Sequence, residues 1–328
     1  MLHRSSEELG IGLVGVGRHG SRYIQHLLHD VPGVTLSAVC RRSGGEWLPD
    51  TKIPVYNDYR AMIADPRVQA VVVVTPPSLC HDICLSAVRA GKPILIEKPL
   101  AMTGCQARAM VAAADQAGVL LMTAQTLRFD PTIVFLRDQL QSIGQLRSAT
   151  LTSHIETKAN VMPGTAGPVP LGALLELGIH LIDLVRFLTG KEILEVQCAL
   201  DPLPSNGPET SAKVQLRTEG DILCRLDIAR VETNRVGAAE WVGTAGKLTA
   251  DWPARRVTRT DANGTSQEWK LEPQPTVLVT LQAFVHAIRT GTPAPITGLD
   301  GCRAVEVADA CYRSAEQSGK SVQVDTTR

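Results

Sequence analysis

No run of about 18 consecutive apolar residues occurs anywhere in the chain, which argues against a hydrophobic membrane-spanning helix. Surplus charge of either sign is also absent. Lys+Arg and Asp+Glu both number 33, so no overall basic field gathers nucleic acid or an anionic membrane, and neither is an expected partner. The eight cysteines form no framework: they are scattered, several inside apolar segments, a pattern of buried reduced thiols in a cytoplasmic protein rather than of disulfides. Met1 to Leu9 carries charges of both signs and no apolar core, and reads as neither signal peptide nor anchor. Cys80, His81 and Cys84 lie close together without a second group of ligands, so helix packing is expected there and no metal.

What is present is ordinary globular composition, 44% hydrophobic and 20% charged, over 328 residues. A chain of that length usually divides into two domains. Leu9 to Val14 is a short apolar run followed directly by Gly15-Val16-Gly17-Arg18-His19-Gly20, and Ser21 to His29 then keeps Ile24, Leu27 and Leu28 on one helical face. Strand, glycine turn and helix in that order point to a dinucleotide site: Gly15 for the tight turn, Gly17 for close approach of a pyrophosphate, Gly20 for helix-on-strand packing, with Arg18 and His19 between them. The next expected strand, Val34 to Cys40, ends in Arg41-Arg42-Ser43, and Arg41 falls 21 residues after Gly20. An acid at that place would hold a ribose 2′-hydroxyl. Two arginines and a serine suit a 2′-phosphate instead, so NADP is expected in preference to NAD.

Ala70 to Val74 reads as a strand buried on both faces. Thr75-Pro76-Pro77-Ser78 then turns the chain, with Thr75 and Pro76 placed to face a nicotinamide or its ribose, and with Ser78 and Gly91 placed to begin and end a helix. The run Ile94-Leu95-Ile96 ends in Glu97-Lys98-Pro99, at the carboxyl end of an expected parallel strand, where open sheets hold ligands. Pro99 restricts the backbone of Lys98, whose ammonium can donate or accept a proton or hold an oxyanion. A helix from about Gly104 to Ala117 and a strand from Val119 to Thr123 complete an α/β doubly wound pattern that closes near residue 126.

Beyond residue 127 the rhythm changes. A helix opening at Pro131 is followed by expected strands at Leu146 to Thr157, Ile193 to Ala199, Ala212 to Thr218, Ile222 to Val231 and Glu240 to Ala250, a mainly antiparallel sheet in an α+β domain running to residue 328. The outer face of such a sheet needs cover, which makes self-association an expectation. Between those strands, Leu171 to Leu188 reads as a helix that is apolar nearly all round, yet Glu176, His180 and Asp183 recur at i, i+4 and i+7. A histidine flanked by carboxylates on a buried helix points to an active site. Gly178 in mid-helix fits a close approach by backbone or ligand. Arg128, His154 and Lys158 are candidates for substrate hydroxyls. Residues 159–170, rich in Pro and Gly, read as an irregular loop on which pocket specificity depends.

Gly15 to Gly20, Thr75-Pro76-Pro77, Glu97-Lys98-Pro99, Glu176-Leu177-Gly178-Ile179-His180-Leu181-Ile182-Asp183, Gly243-Thr244-Ala245-Gly246-Lys247-Leu248 and the tail from Ala304 to Val324 together resemble the glucose-fructose oxidoreductase, inositol dehydrogenase and MocA family over nearly the whole chain. The resemblance implies a Rossmann domain, a C-terminal domain with a large open sheet, a nicotinamide cofactor bound in part by Thr75, Pro76, Pro77, Glu97 and Lys98, and a sugar, inositol or related hydroxy compound as substrate. It also implies a homodimer or homotetramer. Carried over by position, Lys98 contacts the reacting oxygen, His180 is the general acid/base, and Glu176 stands where the family often has the Asp that orients it. Leu171-Gly172 stands where the family often has Gly-Gly. Two other readings stay open: a reductase of a keto-sugar, imine or other unsaturated substrate, and a non-catalytic nucleotide sensor on the same fold.

Overall fold

A computed structural model describes residues 8–42, 52–156, 171–201 and 207–325. The chain divides into two compact units, residues 1–126 with 275–302, and residues 127–274 with 303–328. The expected second domain took in everything after residue 126, whereas residues 275–302 group with the first. The reason is packing at a distance. The helix Thr276–Thr290 lies on the helix Gly20–His29, and the Arg289 guanidinium donates to the Gly33 carbonyl. Thr297 then bridges to Met122 at the far edge of the sheet.

The first unit is built on six parallel strands, β1 (Leu9–Val14), β2 (Val34–Cys40), β3 (Val55–Tyr56), β4 (Ala70–Val73), β5 (Ile94–Glu97) and β6 (Leu121–Ala124), in the order β3-β2-β1-β4-β5-β6. β4 to β6 are buried at every position, as runs of apolar residues covered on both faces must be. The crossover helices are α1 (Gly20–His29), α2 (Tyr59–Ala64), α3 (Cys80–Arg89) and α4 (Gly104–Ala117). α4 shows why its ends are sharp: Thr103 accepts from the Gln106 N–H at its start, and Gly118 adopts φ +63° at its end. Ser78 does not cap α3. A 3₁₀ turn over Pro77–Leu79 already reverses the chain, and α3 starts without a side-chain cap.

The second unit carries a nine-stranded sheet. Its strands are β7 (Leu146–Glu156), β8 (Ile193–Leu200), β9 (Ser211–Thr218), β10 (Leu223–Val231), β11 (Val236–Gly243), β12 (Gly246–Asp251), β13 (Arg256–Asp261), β14 (Ser266–Lys270) and β15 (Val322–Gln323), in the order β14-β13-β12-β11-β7-β10-β9-β8-β15. Every pairing is antiparallel except β7 with β10. The strand expected over Glu240 to Ala250 is two strands, because Gly243 and Gly246 pair across a hairpin whose tip, Thr244-Ala245, docks on Gln145 and Ile143. One face of this sheet is apolar and packs under α6 (Ile179–Thr189) and the turn before it, while the other carries Thr150, Thr152, Ala238 and Thr249. Two more helices complete the chain, α7 (Thr276–Thr290) and α8 (Gly298–Glu316), and α5 (Pro131–Gln139) opens the second unit. Among the described residues no helix is long and apolar enough to cross a membrane.

Candidate functional site

In the first unit the three glycines divide the work of the loop. Gly15 has φ +100°, and a Cβ on it would drive into the Val74 carbonyl. A Cβ on Gly20 would meet the Gly15 carbonyl, so the first turn of α1 can settle on the loop only through a glycine. Gly17 is different: nothing lies within 4 Å of a Cβ there, which leaves open space over the backbone at a helix N-terminus. A groove of about 360 Å³ runs beside the loop between Gly15, Gly17, Arg41, Arg42, Thr75 and Pro76. Its walls also include Asn57, in the short link after β3, and Tyr59, the first residue of the six-residue α2, which sequence reasoning missed because so short a stretch shows no clear periodicity. Arg60 stacks over the Tyr59 ring at 4.5 Å. These residues fit a dinucleotide: a bare backbone for phosphates, guanidinium groups at the end of β2, and an apolar wall at Thr75-Pro76. Ser43 lies outside the described residues. Arg18 is exposed at the loop, and Pro77, Glu97 and Lys98 are not part of the groove's walls.

Glu97 ends β5, paired with Ala124, and Lys98 follows it directly. Glu97 is buried and accepts from Tyr23 Oη at 2.5 Å, from the Lys98 N–H at 3.0 Å, and is bridged to His19 Nε2 at 2.7 Å. Lys98 is half-buried, and the Lys98–Pro99 bond is cis. Tyr23 was not singled out from the sequence; its apolar spacing on α1 reads as core.

In the second unit the polar stripe is not one regular helix. Leu174–Gly178 forms a π-helical turn, and α-helical geometry starts only at Ile179. A π turn winds more residues per revolution, so Glu176 and His180 are not aligned as an i, i+4 pair on an α-helix. The entry is held from the side by Glu209, whose carboxylate takes the Leu174 N–H at 3.1 Å and the Tyr312 hydroxyl at 2.8 Å, in the space that a Cβ on Gly172 would fill. Burial, followed by the charge of Glu209, pushes the Tyr312 phenol up. Gly178 admits the Ile228 side chain of β10, 2.8 Å from where a Cβ would stand, so a side chain makes the close approach there and not the expected backbone or ligand.

The carboxylates of the stripe have separate partners. Glu176 is ion-paired with Arg230 of β10, whose Nη2 also donates to the Leu171 carbonyl at 2.9 Å. Asp183 is buried and takes two hydrogen bonds from Arg128, at 2.7 and 2.5 Å, and Arg128 in turn lies 4.9 Å over the Phe187 ring. Arg128 and Asp183 therefore form a bidentate buried pair. His154 belongs to β7. Strand alternation puts it on the face opposite Arg230 and Ile228, where its Nε2 stands 3.2 Å from Asp227. His180 is half-buried on α6. Lys158 lies outside the described residues, as does the loop 159–170.

All eight cysteines are free, and burial raises Cys80 and Cys84 to about 12, as expected of packed thiols. His81 pairs with Asp82 at 3.0 Å. Among the described residues no group of three or more His, Cys, Asp or Glu side chains is arranged to hold a metal ion.

Residues 9–125 match the model of an oxidoreductase family with an NAD-binding Rossmann fold, and residues 140–249 match the GFO/IDH/MocA C-terminal domain. Inositol 2-dehydrogenase 2 of Saccharopolyspora erythraea is 28% identical, with 93% of each chain covered. The 1,5-anhydro-D-fructose reductase of Ensifer adhaerens is 29% identical over 81% of this chain and 82% of its own. Among solved structures, the aldose-aldose oxidoreductase of Caulobacter crescentus, complexed with glycerol, superposes with a TM-score of 0.84 at 23% identity, covering 96% of this chain and 99% of that one.

Proposed function

The chain belongs to the Gfo/Idh/MocA oxidoreductase family, and on that premise we propose that it moves a hydride between a nicotinamide dinucleotide and a carbinol or carbonyl carbon of a sugar, inositol or related polyol. The observation that carries this reading is the open glycine loop and its groove in the same unit as a half-buried Lys98 at the carboxyl end of β5. When bound, the nicotinamide supplies or takes up the hydride. In the oxidative direction His180 accepts the hydroxyl proton, and the Lys98 ammonium stabilises the developing alkoxide. Glu176 is held by Arg230 in the turn that leads into the His180 helix. Gly17 leaves room for the pyrophosphate, and Thr75 and Pro76 wall the groove.

Arg41 and Arg42 on the groove's wall, with no acid at the end of β2, support NADP over NAD. The same observation favours a second reading in which the enzyme runs as a reductase of a keto-sugar or related unsaturated substrate. The likeness to 1,5-anhydro-D-fructose reductase supports it. The polar face of the nine-stranded sheet carries both signs in register, Arg225 beside Asp227 and Glu240 paired to Lys247 at 2.9 Å, a surface suited to a second copy of the chain related by a two-fold axis. Sedimentation gives the subunit number, and a monomer at micromolar concentration overturns that assignment.

The test of function is reduced-nicotinamide absorbance over a panel of aldoses, inositols and other polyols, with NADP and NAD in parallel and Lys98→Ala as control. Turnover that the variant loses supports the dehydrogenase. Silence with nucleotide binding intact moves the reading to carbonyl substrates in the reductive direction, and silence there too leaves the nucleotide sensor.

A further inference from the structure

Three donors converge on one buried carboxylate at the end of β5. Glu97 is only 8% exposed, and a carboxylate that deep persists when its lone pairs are used. Oε1 takes the Tyr23 hydroxyl at 2.5 Å and His19 Nε2 at 2.7 Å, both from the first turn of α1 and the residue that precedes it. Oε2 takes the backbone N–H of Lys98 at 3.0 Å. Strand pairing does not account for this link, because β4 separates β1 from β5.

The donors differ in kind. Tyr23 is wholly buried, and burial together with the charge of Glu97 holds its phenol well above the usual value, so it remains a donor throughout the physiological range. His19 leaves 46% of its side chain in solvent and meets the Tyr23 ring edge-on at 5.6 Å. The buried donor fixes Glu97, and the exposed one reaches it from the glycine loop.

The geometry points to Tyr23 and His19 as positioning residues that act through Glu97 on Lys98, so that one carboxylate seats the start of the nucleotide-binding helix and holds the turn that presents the lysine. Remove the Tyr23 hydroxyl and Oε1 loses its buried donor. Glu97 then turns toward His19, the one donor left to Oε1, and the Lys98 N–H is left with a poorer acceptor. Misplacement of a reacting group by about 1 Å can cost roughly a hundredfold in rate.

The inference rests on the reading of Lys98 as the oxyanion-stabilising group, so its first test needs no substrate. Amide hydrogen exchange at Lys98 is followed in the wild-type chain and in Tyr23→Phe. The expected result is exchange at least about tenfold faster in the variant, with the amides of β4 unchanged. Equal exchange at Lys98 overturns the inference. With the substrate that the panel identifies, a double-mutant cycle follows. Tyr23→Phe is expected to lower kcat by about ten- to a hundredfold with nucleotide affinity within about threefold, and to add nothing in a Lys98→Ala background. Losses that multiply overturn the inference and leave Lys98 its role. A fully active Lys98→Ala overturns the functional reading instead. Should Tyr23→Phe fold poorly, His19→Leu takes its place in the same cycle, with an expected loss of about three- to tenfold that again vanishes without Lys98.

Discussion

The glycine loop of the first unit and the polar helix of the second are both short stretches dense in chemistry-bearing residues, yet their residues are fixed by different means. From Gly15 to Gly20 each place follows from backbone geometry: a positive φ, an open side and a close approach, all within six residues. From Leu171 to Leu188 the roles are set by partners far away in the chain. Arg230 meets Glu176 from 54 positions on, and Arg128 meets Asp183 from 55 positions back. Local spacing is therefore a good guide in the first stretch and a poor one in the second.

The contrast is tested most severely at the buried pair. Asp183→Ala leaves the Arg128 guanidinium buried without its bidentate acceptor and should destabilise the chain by about 3–5 kcal/mol, read as a fall in denaturation midpoint. Arg128→Met with Asp183→Leu should recover most of that, and a double variant as weak as the single would mean that the helix needs the charge itself. Next in size is the loop. Gly20→Ala should destabilise by about 1–3 kcal/mol because its Cβ meets backbone, whereas Gly17→Ala should stay within about 0.5 kcal/mol in stability and lose at least about tenfold in nucleotide affinity. Similar behaviour of the two variants would erase the distinction drawn between them. Arg41→Asp should weaken NADPH about ten- to a hundredfold more than NADH in parallel titrations, on the scale of one or two charge-assisted hydrogen bonds. Equal losses would remove the arginine from phosphate recognition. The smallest effect belongs to Arg230→Met, whose ion pair with Glu176 is partly exposed. Stability should change by about 1 kcal/mol or less in thermal unfolding, and a larger drop would place Glu176 among the buried charges.

Much of the first unit was legible in the residues, since continuous apolar runs punctuated by glycine and proline leave few alternatives to a parallel sheet. What escaped was short or distant: β3 has two residues, and α7 is so rich in apolar and β-branched side chains that helix and strand periods compete in it. In the second unit β13 and β14 were missed because they are largely polar, with Arg256, Thr258 and Glu268 facing outward. The π turn left one trace, Gly178, and that residue was read as a sign of close approach without its geometry. Of the candidate site, the positions of Glu97, Lys98, Glu176 and His180 could be named in advance. Tyr23, Glu209 and Arg230 could not, because no local pattern marks a side chain whose partner arrives from another element.

The return of residues 275–302 to the first unit bears on how the protein comes off the ribosome. All six strands of the parallel sheet are made by residue 124, but α7, which covers α1, and the link from Thr297 to Met122 emerge only after the whole nine-stranded sheet except β15. At about 5–20 residues per second the nascent sheet waits some ten to thirty seconds for its missing helix. During that interval the apolar flank of α1 is without its cover, and a chain cut at residue 126 would stay in that state permanently.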